Sequence, residues 1–283
     1  MKKIAASVQP DVIHLHSSKA GAIGRIAFDG KIPMFYTPHG YSFLMENYKP
    51  MKRKLFKLIE SVCAKRNCTT ISCSVGENQE TLKLTRRAIY VNNGINMSEL
   101  QEIIDKTEKV QHPFTVYTLG RICYQKNPTL FNAIAEALPD IKFVWIGDGE
   151  LREELKSKNI EITGWADRAT AIRYAVNADV FLLPSRWEGL PISLLESMYM
   201  KKVCVVSNVI GNRDVIHNNE NGFVCSDTEK FVKAIRKSQS GAERFTAQAY
   251  QDVLEKYNTK AMAKQYSEKY DEAINIGGGY SMS

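Results

Sequence analysis

The sequence predicts an α/β protein with parallel sheets covered by helices, and three observations carry that prediction. Short apolar runs alternate with helical stretches along nearly all of the 283 residues, the pattern of repeated strand–helix–strand units. The run Val180-Phe181-Leu182-Leu183 is apolar on both faces, as a strand with helices on either side must be. In the second half, glycines and charged residues follow one strand after another, at the carboxyl ends where doubly wound sheets hold ligands.

Taken in order, Asp11-Val-Ile-His-Leu-His16 reads as a strand, and Ser17–Phe28 as a loop leading into a helix rich in small residues. Ile32–Tyr36 is a second strand ending at Thr37-Pro38-His39-Gly40. A basic helix covers about Lys49–Lys65. A third strand follows over Thr69–Ser74 and a fourth over Ala88–Val91, closed by Asn92-Asn93-Gly94-Ile95-Asn96. Residues 97–112 are polar and helix-like without a strong apolar stripe. Pro113 then opens a fresh strand, Phe114–Leu119, which places the domain boundary here. Beyond it, helix Pro128–Leu138 leads to strand Ile141–Ile146, and helix Glu150–Lys158 to Ile160–Thr163. Helix Arg168–Ala178 leads to Val180–Leu183, and helix Pro191–Met200 to Val203–Ser207. A short helix after Gly211 precedes strand Gly222–Cys225, and the rest is helical to about Ile274. The closing Gly277–Ser283 is expected to fray.

Composition bounds the function. Hydrophobic residues at 44% and charged residues at 24% are ordinary for a globular protein, and no apolar run is long enough to span a bilayer. The N-terminus opens like a signal peptide, but Ser7 and Gln9 break its apolar stretch, so export is not expected. Six cysteines without paired spacing point to reduced thiols in a cytosol. Cys63, Cys68 and Cys73 recur at an interval that matches no zinc motif, so no metal site is expected. The net charge of +7 is concentrated. Lys49, Lys52, Arg53, Lys54, Lys57, Lys65 and Arg66 stand against one acid, Glu60, with Met51, Leu55, Phe56, Leu58, Ile59 and Val62 among them. Such a helix can lie on an anionic membrane. The composition equally suits a surface helix with its apolar face in the core, and that second arrangement is the favoured one. No stacking aromatics or known motif accompany the charge, so nucleic acid is not an expected partner.

The most informative stretch is Asp179–Met200. Its strand ends in a polar loop, Pro184–Gly189, and Pro191 stands at the head of the next helix, where a missing N–H costs nothing. Glu188 and Glu196 lie either side of that helix start, whose free amides favour an anion. A ligand carrying both phosphate and hydroxyls would use both features. Spacing alone equally allows Glu188 to be a loop charge and Glu196 a solvated helix residue. Other strand ends add Gly120-Arg121 with Lys126, Gly147-Asp148-Gly149-Glu150 and Gly164-Trp165. Arg121 and Lys126 suit a diphosphate, as fork and point charge.

These motifs together resemble the large retaining glycosyltransferase family 4 (glycosyl transferases group 1), with its two-domain GT-B fold. The signature is Glu-x7-Glu, here Glu188-Gly-Leu-Pro-Ile-Ser-Leu-Leu-Glu196. Ile146–Glu150, Ser207-Asn208-Val209 with Gly211, Asn221-Gly222-Phe223-Val224, Asn93–Asn96 and Thr37–Gly40 match as well. The resemblance implies two Rossmann-like domains: a first over 1–96, a linker at 97–112, a nucleotide-sugar-binding domain over 113–258, and a C-terminal helix over 259–276 packing back on the first. It implies that Arg121 and Lys126, beside Gly120, hold the donor diphosphate as leaving group, and that Glu196 accepts from the donor ribose. Glu188 would contact the transferred sugar, near the Gly189 and Leu190 amides, and Trp165 would lie near the base. His39 would reach the reacting sugar, while His14 and His16 are expected to be structural.

The implied reaction moves a sugar from a nucleotide sugar to a glycan or lipid-linked acceptor, as in polysaccharide synthesis. No cofactor is expected: Arg and Lys take a metal's place, and no Asp-x-Asp is present. Paired acids also occur in glycosidases, but amides and cations beside them argue for a phosphate leaving group. The expected location is cytoplasmic, with the basic helix 49–66 carrying the protein to the inner face of a membrane. Family members have further strands before Asp11–His16, so the expectation is an N-terminally shortened chain with an incomplete first domain and the Asp11–His16 strand at an open sheet edge. A sugar-nucleotide epimerase and a donor-binding but silent fragment are the alternatives.

Overall fold

The computed structural model describes residues 1–241 and 243–278. It divides into two compact units, Met1–Asn93 with the stretch from Lys260, and Gly94–Thr259. Of the tail expected to fray, Gly277 and Gly278 end the last helix, and residues 279–283 lie outside the described residues.

The first unit runs α1 (Lys2–Val8), β1 (Ile13–His16), α2 (Ser18–Ala27), β2 (Met34–Thr37), α3 (Pro50–Cys63), β3 (Thr69–Ser72), α4 (Val75–Leu82) and β4 (Ala88–Tyr90). All its strands are parallel, in the order β1-β2-β3-β4. Helix α4 is absent from the sequence-based assignment, although its signal is present. Ser74 caps it, its Oγ accepting from the Glu77 amide, and the Glu77 carboxylate reaches back to accept from the Cys73 amide, which ties down the start of the helix.

Helix α3 is where the favoured expectation fails. Its inward positions are Phe56, Glu60 and Cys63, and the apolar stripe of Met51, Leu55, Leu58, Ile59 and Val62 faces outward, Leu58 61% exposed. A buried polar network sets that rotation. Glu60 takes Arg25 of α2 on one oxygen at 2.6 Å and the Tyr36 hydroxyl of β2 on the other at 2.9 Å. The Arg25 guanidinium also lies 4.1 Å from the Tyr36 ring centre. A buried carboxylate keeps its charge only with such partners, so turning the helix to hide Leu58 would strand Arg25.

The second unit runs α5 (Met97–Asp105), β5 (Thr115–Leu119), α6 (Pro128–Glu136), β6 (Lys142–Ile146), β7 (Ile160–Ile162), α7 (Arg168–Val176), β8 (Val180–Leu183), α8 (Ile192–Tyr199), β9 (Val203–Ser207), α9 (Asn212–Val215), β10 (Phe223–Cys225), α10 (Thr228–Ser238) and α11 (Glu243–Lys256). Its sheet is parallel, in the order β10-β9-β8-β5-β6-β7. The order reverses between β5 and β8, which is where an open α/β sheet leaves a crevice at its carboxyl edge. Trp145, Phe131, Phe143, Val180 and Leu182 form the core beneath it.

Residues 97–105 are helical and belong to this unit, with Leu100 fully buried. The helix expected over Glu150–Lys158 shrinks to a 3-10 turn at Arg152–Glu154. The Asn132 side-chain oxygen accepts from the Lys156 and Ser157 amides, which a continuing helix would need for itself. The last helix, α12 (Thr259–Gly278), packs Met262, Tyr266 and Tyr270 on Phe35, Ile71 and Val91 of the first unit.

Candidate active site

At the β5/β8 crevice the loops after the two strands are tied together. After β5 the chain makes a short turn, Tyr124–Lys126, and Asn127 takes a left-handed φ of 57° before Pro128 opens α6. That turn aims three consecutive residues at the loop after β8. The Gln125 carbonyl accepts from the Arg186 amide at 2.8 Å, and its side-chain amide donates to the Trp187 carbonyl and to Glu188 Oε2. The Asn127 side chain donates to the Pro184 carbonyl. Lys126 Nζ meets Glu188 Oε1 at 2.8 Å, with the two side chains only 17% and 7% exposed. Glu188 is therefore not a free loop charge; both its oxygens are occupied. Gln125 carried no signal in the sequence.

Glu196 is not solvated either. It sits in α8 at 5% exposure, and Arg168 Nη1 stands 2.8 Å from its Oε1 without a hydrogen-bonding alignment. The same Arg168 places Nε 3.2 Å from Glu99 Oε1 of α5. Burial raises the Glu196 pKa above the usual carboxylate value, Arg168 opposes the rise and Glu99 adds to it. Arg121 turns to Glu150, Nε to Oε2 at 3.0 Å, and both side chains are more than half exposed. The four expected groups thus occur as three ion pairs: Lys126 with Glu188, Arg121 with Glu150, and Arg168 with Glu196.

Helix α8 starts one residue later than expected, with Pro191 as its cap and the Ile192 and Ser193 amides without a backbone acceptor among the described residues. Glycines bring the neighbouring loops in. A Cβ on Gly211, whose φ is 84°, would stand 2.2 Å from the Gly189 carbonyl oxygen, and one on Gly147 2.3 Å from that of Gly120. These two serve the approach of loop to loop rather than of ligand to backbone. Four buried polar atoms on this edge, Asn127 Oδ1, Ser185 Oγ, Arg186 Nε and Asn212 Oδ1, have no hydrogen-bond partner among the described residues. Such atoms are rare in folded proteins, and a bound water or a polar ligand is their usual partner. Trp165, after β7, is 71% exposed.

In the first unit, the carboxyl ends of β1 and β2 bring histidines together. His39 has a left-handed φ of 53°, an uncommon conformation for a residue other than glycine. The next amide, Gly40, donates to Glu77 Oε1 at 2.6 Å. His39 Nε2 and His16 Nδ1 are 2.9 Å apart, with the rings stacked. His14 is structural as expected, bonded to Tyr270 and Thr37, and burial pushes its pKa down to about 3, the neighbouring His16 and His39 adding to the effect. His16, by contrast, is exposed and pairs with His39. Burial also lowers both of their pKa values.

Residues 113–239 match the family model of glycosyl transferases group 1, and residues 2–92 that of the glycosyl transferase 4-like domain. A UDP-Gal:alpha-D-GlcNAc-diphosphoundecaprenol alpha-1,3-galactosyltransferase of Escherichia coli is 32% identical over 268 residues, covering 82% of this chain and 67% of that protein. Over a shorter stretch, 42% of this chain and 37% of the relative, a Campylobacter jejuni N-acetylgalactosaminyltransferase acting on an undecaprenol-linked glycan is 34% identical. Among solved structures, sucrose-phosphate synthase from Thermosynechococcus elongatus superposes with a TM-score of 0.84 at 16% identity, over 97% of this chain and 76% of its own. Anabaena HepE in complex with UDP and glucose does so with 0.78 at 15%, over 95% and 80%. With both halves of the chain matched and a relative aligned over most of its length, this protein belongs to the group 1 glycosyltransferases of the GT-B fold, and it is a glycosyltransferase.

Proposed function

We propose that the chain moves a hexose from a nucleoside diphosphate sugar to a lipid-linked glycan, retaining the anomeric configuration and using no metal ion. The observation that carries this is the buried Lys126–Glu188 pair next in the chain to the start of α8, where no side chain bonds the first amides. A cation, free amides and a hydroxyl acceptor at the carboxyl ends of β5 and β8 support that reading. As the bond from the anomeric carbon to the diphosphate breaks, its electron pair goes to a phosphate oxygen. Lys126, Arg121 and the Ile192 and Ser193 amides meet that charge, a form of electrostatic help worth about 10²–10³ in rate per donor group. Glu188 accepts from hydroxyls of the transferred sugar, and Glu196 from those of the donor ribose. The names of the Escherichia coli and Campylobacter jejuni relatives support a lipid diphosphate acceptor.

A thermal-shift panel of UDP-, GDP- and ADP-sugars tests the donor assignment. At about 100 to 1,000 times Kd, a bound donor adds about 3–4 kcal/mol of stability. The shift should shrink sharply in Lys126→Ala and Glu196→Ala. Equal shifts in the parent and both variants, or none with any nucleotide sugar, would sink the assignment.

Helix α3 supports a membrane location for the acceptor. None of the described helices is long and apolar enough to cross a membrane. The outward stripe of Met51, Leu55, Leu58 and Val62 is flanked by Lys52, Lys54 and Lys65, and lysines beside an apolar stripe can keep their charges at the headgroups while the stripe enters the acyl boundary. This helix would hold the enzyme on the cytoplasmic face of an anionic membrane. Vesicles containing anionic lipid should co-sediment the protein, and Leu58→Glu should release it. Equal binding to neutral vesicles would contradict the charge-based part of the proposal.

A further inference from the structure

Glu196 presents a problem that the family signature does not solve. It is buried in α8, its pKa is raised by that burial, and Glu99 pushes it further in the same direction. A carboxyl group must be ionised to act purely as an acceptor toward two sugar hydroxyls. Lys126, the cation after β5, is already committed to Glu188 at 2.8 Å. The group that meets Glu196 is Arg168, which is on a different element and outside the Glu-x7-Glu pattern.

Arg168 is well placed for the task. It is the first residue of α7, and the preceding Asp167 caps that helix, its two oxygens accepting from the Thr170 amide and hydroxyl at 2.9 Å each. The base of the side chain is therefore fixed. Its guanidinium then bridges α5 and α8, Nε toward Glu99 and Nη1 toward Glu196. On the strand side, Tyr117 of β5 spends its hydroxyl on Ser197, the residue after Glu196, and supplies no positive charge. Among the described residues, then, the groups facing Glu196 are one cation, Arg168, one acid, Glu99, and a neutral phenol.

We propose that Arg168 is a positioning residue for donor recognition: it keeps Glu196 ionised and aimed, and so sets the selectivity of the site for ribose over 2′-deoxyribose. This rests on the proposed contact between Glu196 and the donor ribose. Arg168 bridges Glu99 and Glu196 and takes the buried Oε1 at 2.8 Å; among the described residues nothing bonds Oε2, which leaves that oxygen for the hydroxyls. A lysine here would keep the charge and lose the fork. An apolar residue would leave burial and Glu99 unopposed, and Glu196 would hold its proton at higher pH.

Calorimetric titration with UDP, GDP and ADP, each against its 2′-deoxy counterpart, tests the proposal. In the parent protein the ribonucleotide should bind about tenfold or more tightly, the scale of a hydrogen bond to a charged group. Arg168→Met should bring that ratio close to one at neutral pH and restore part of it as pH rises, while Arg168→Lys should retain most of it. Arg168→Met added to Glu196→Gln should cost nothing more. If Glu196→Gln abolishes the ratio and Arg168→Met preserves it at every pH, the role assigned to Arg168 is wrong. If Glu196→Gln itself leaves the ratio intact, or no ribonucleotide binds, the ribose contact fails and this inference with it. Melting curves of each variant separate loss of selectivity from loss of fold.

Discussion

Helices α3 and α10 are both lysine-rich and amphipathic, yet they sit on their sheets in opposite senses. In α10 the apolar residues Phe231, Ala234 and Ile235 are buried, and Lys230, Lys233 and Lys237 face water. In α3 the residues turned inward include Glu60, and Leu55, Leu58 and Val62 face out. The difference lies in what each helix meets. Helix α10 covers an apolar patch that includes Phe223 and Phe245, and burial alone orients it. Helix α3 meets Arg25, buried on α2 and stacked on Tyr36, and stranding that guanidinium costs more than hiding Leu58 would return. A charge stranded in the interior costs several kcal/mol, whereas hiding one leucine is worth about 2.

The largest test of this contrast is Arg25→Met, which leaves Glu60 buried without its cation and should cost the first unit about 3–5 kcal/mol. Arg25→Met with Glu60→Met should recover most of that loss. All three tryptophans, Trp145, Trp165 and Trp187, lie in the second unit, so hydrogen exchange at the β2 amides is the suitable readout. Little change in the single variant would mean that the polar network does not orient α3. Next in size, Ile235→Ala should cost about 2–5 kcal/mol and Leu58→Ala stay within about 0.5. Urea midpoints that match for the two would erase the distinction between the helices.

The last test concerns acid. The folded pKa of His14, about 3, lies below its ordinary value of 6.5. The folded protein therefore binds this proton more weakly than the unfolded chain, and above 6.5 neither state carries it. Stability falls as pH drops from 6.5 toward 3 and levels off below. His14→Gln should flatten that limb without changing stability at pH 8 by a comparable amount. A limb of unchanged slope in melts across this range would assign the acid sensitivity to other groups.

Much of the second unit was legible. The runs Val180–Leu183 and Val203–Val206 are apolar throughout, and few arrangements other than a central parallel strand suit them. Glu188 and Glu196 stood out by their placement across a loop–helix junction. Their partners did not. Gln125 lies 63 residues from Glu188 in the chain, and Arg168 belongs to another helix, so nothing local connects them. Helix α4 could have been found from Ser74 and Glu77, whereas the loss of the helix after Gly149 depends on Asn132, which reaches over from α6.

By itself, the sequence determined the alternation of strands and helices, the second unit's sheet and the acidic pair at its edge, because hydrophobic period and turn chemistry act over a few residues. Only the tertiary structure decided which face α3 turns inward, that His16 meets His39, and that Arg168 rather than Arg121 or Lys126 attends Glu196. Those outcomes depend on where remote elements have already placed a charge or a hydrogen-bonding group. In a low-dielectric interior, one such group can override the pattern of a whole helix.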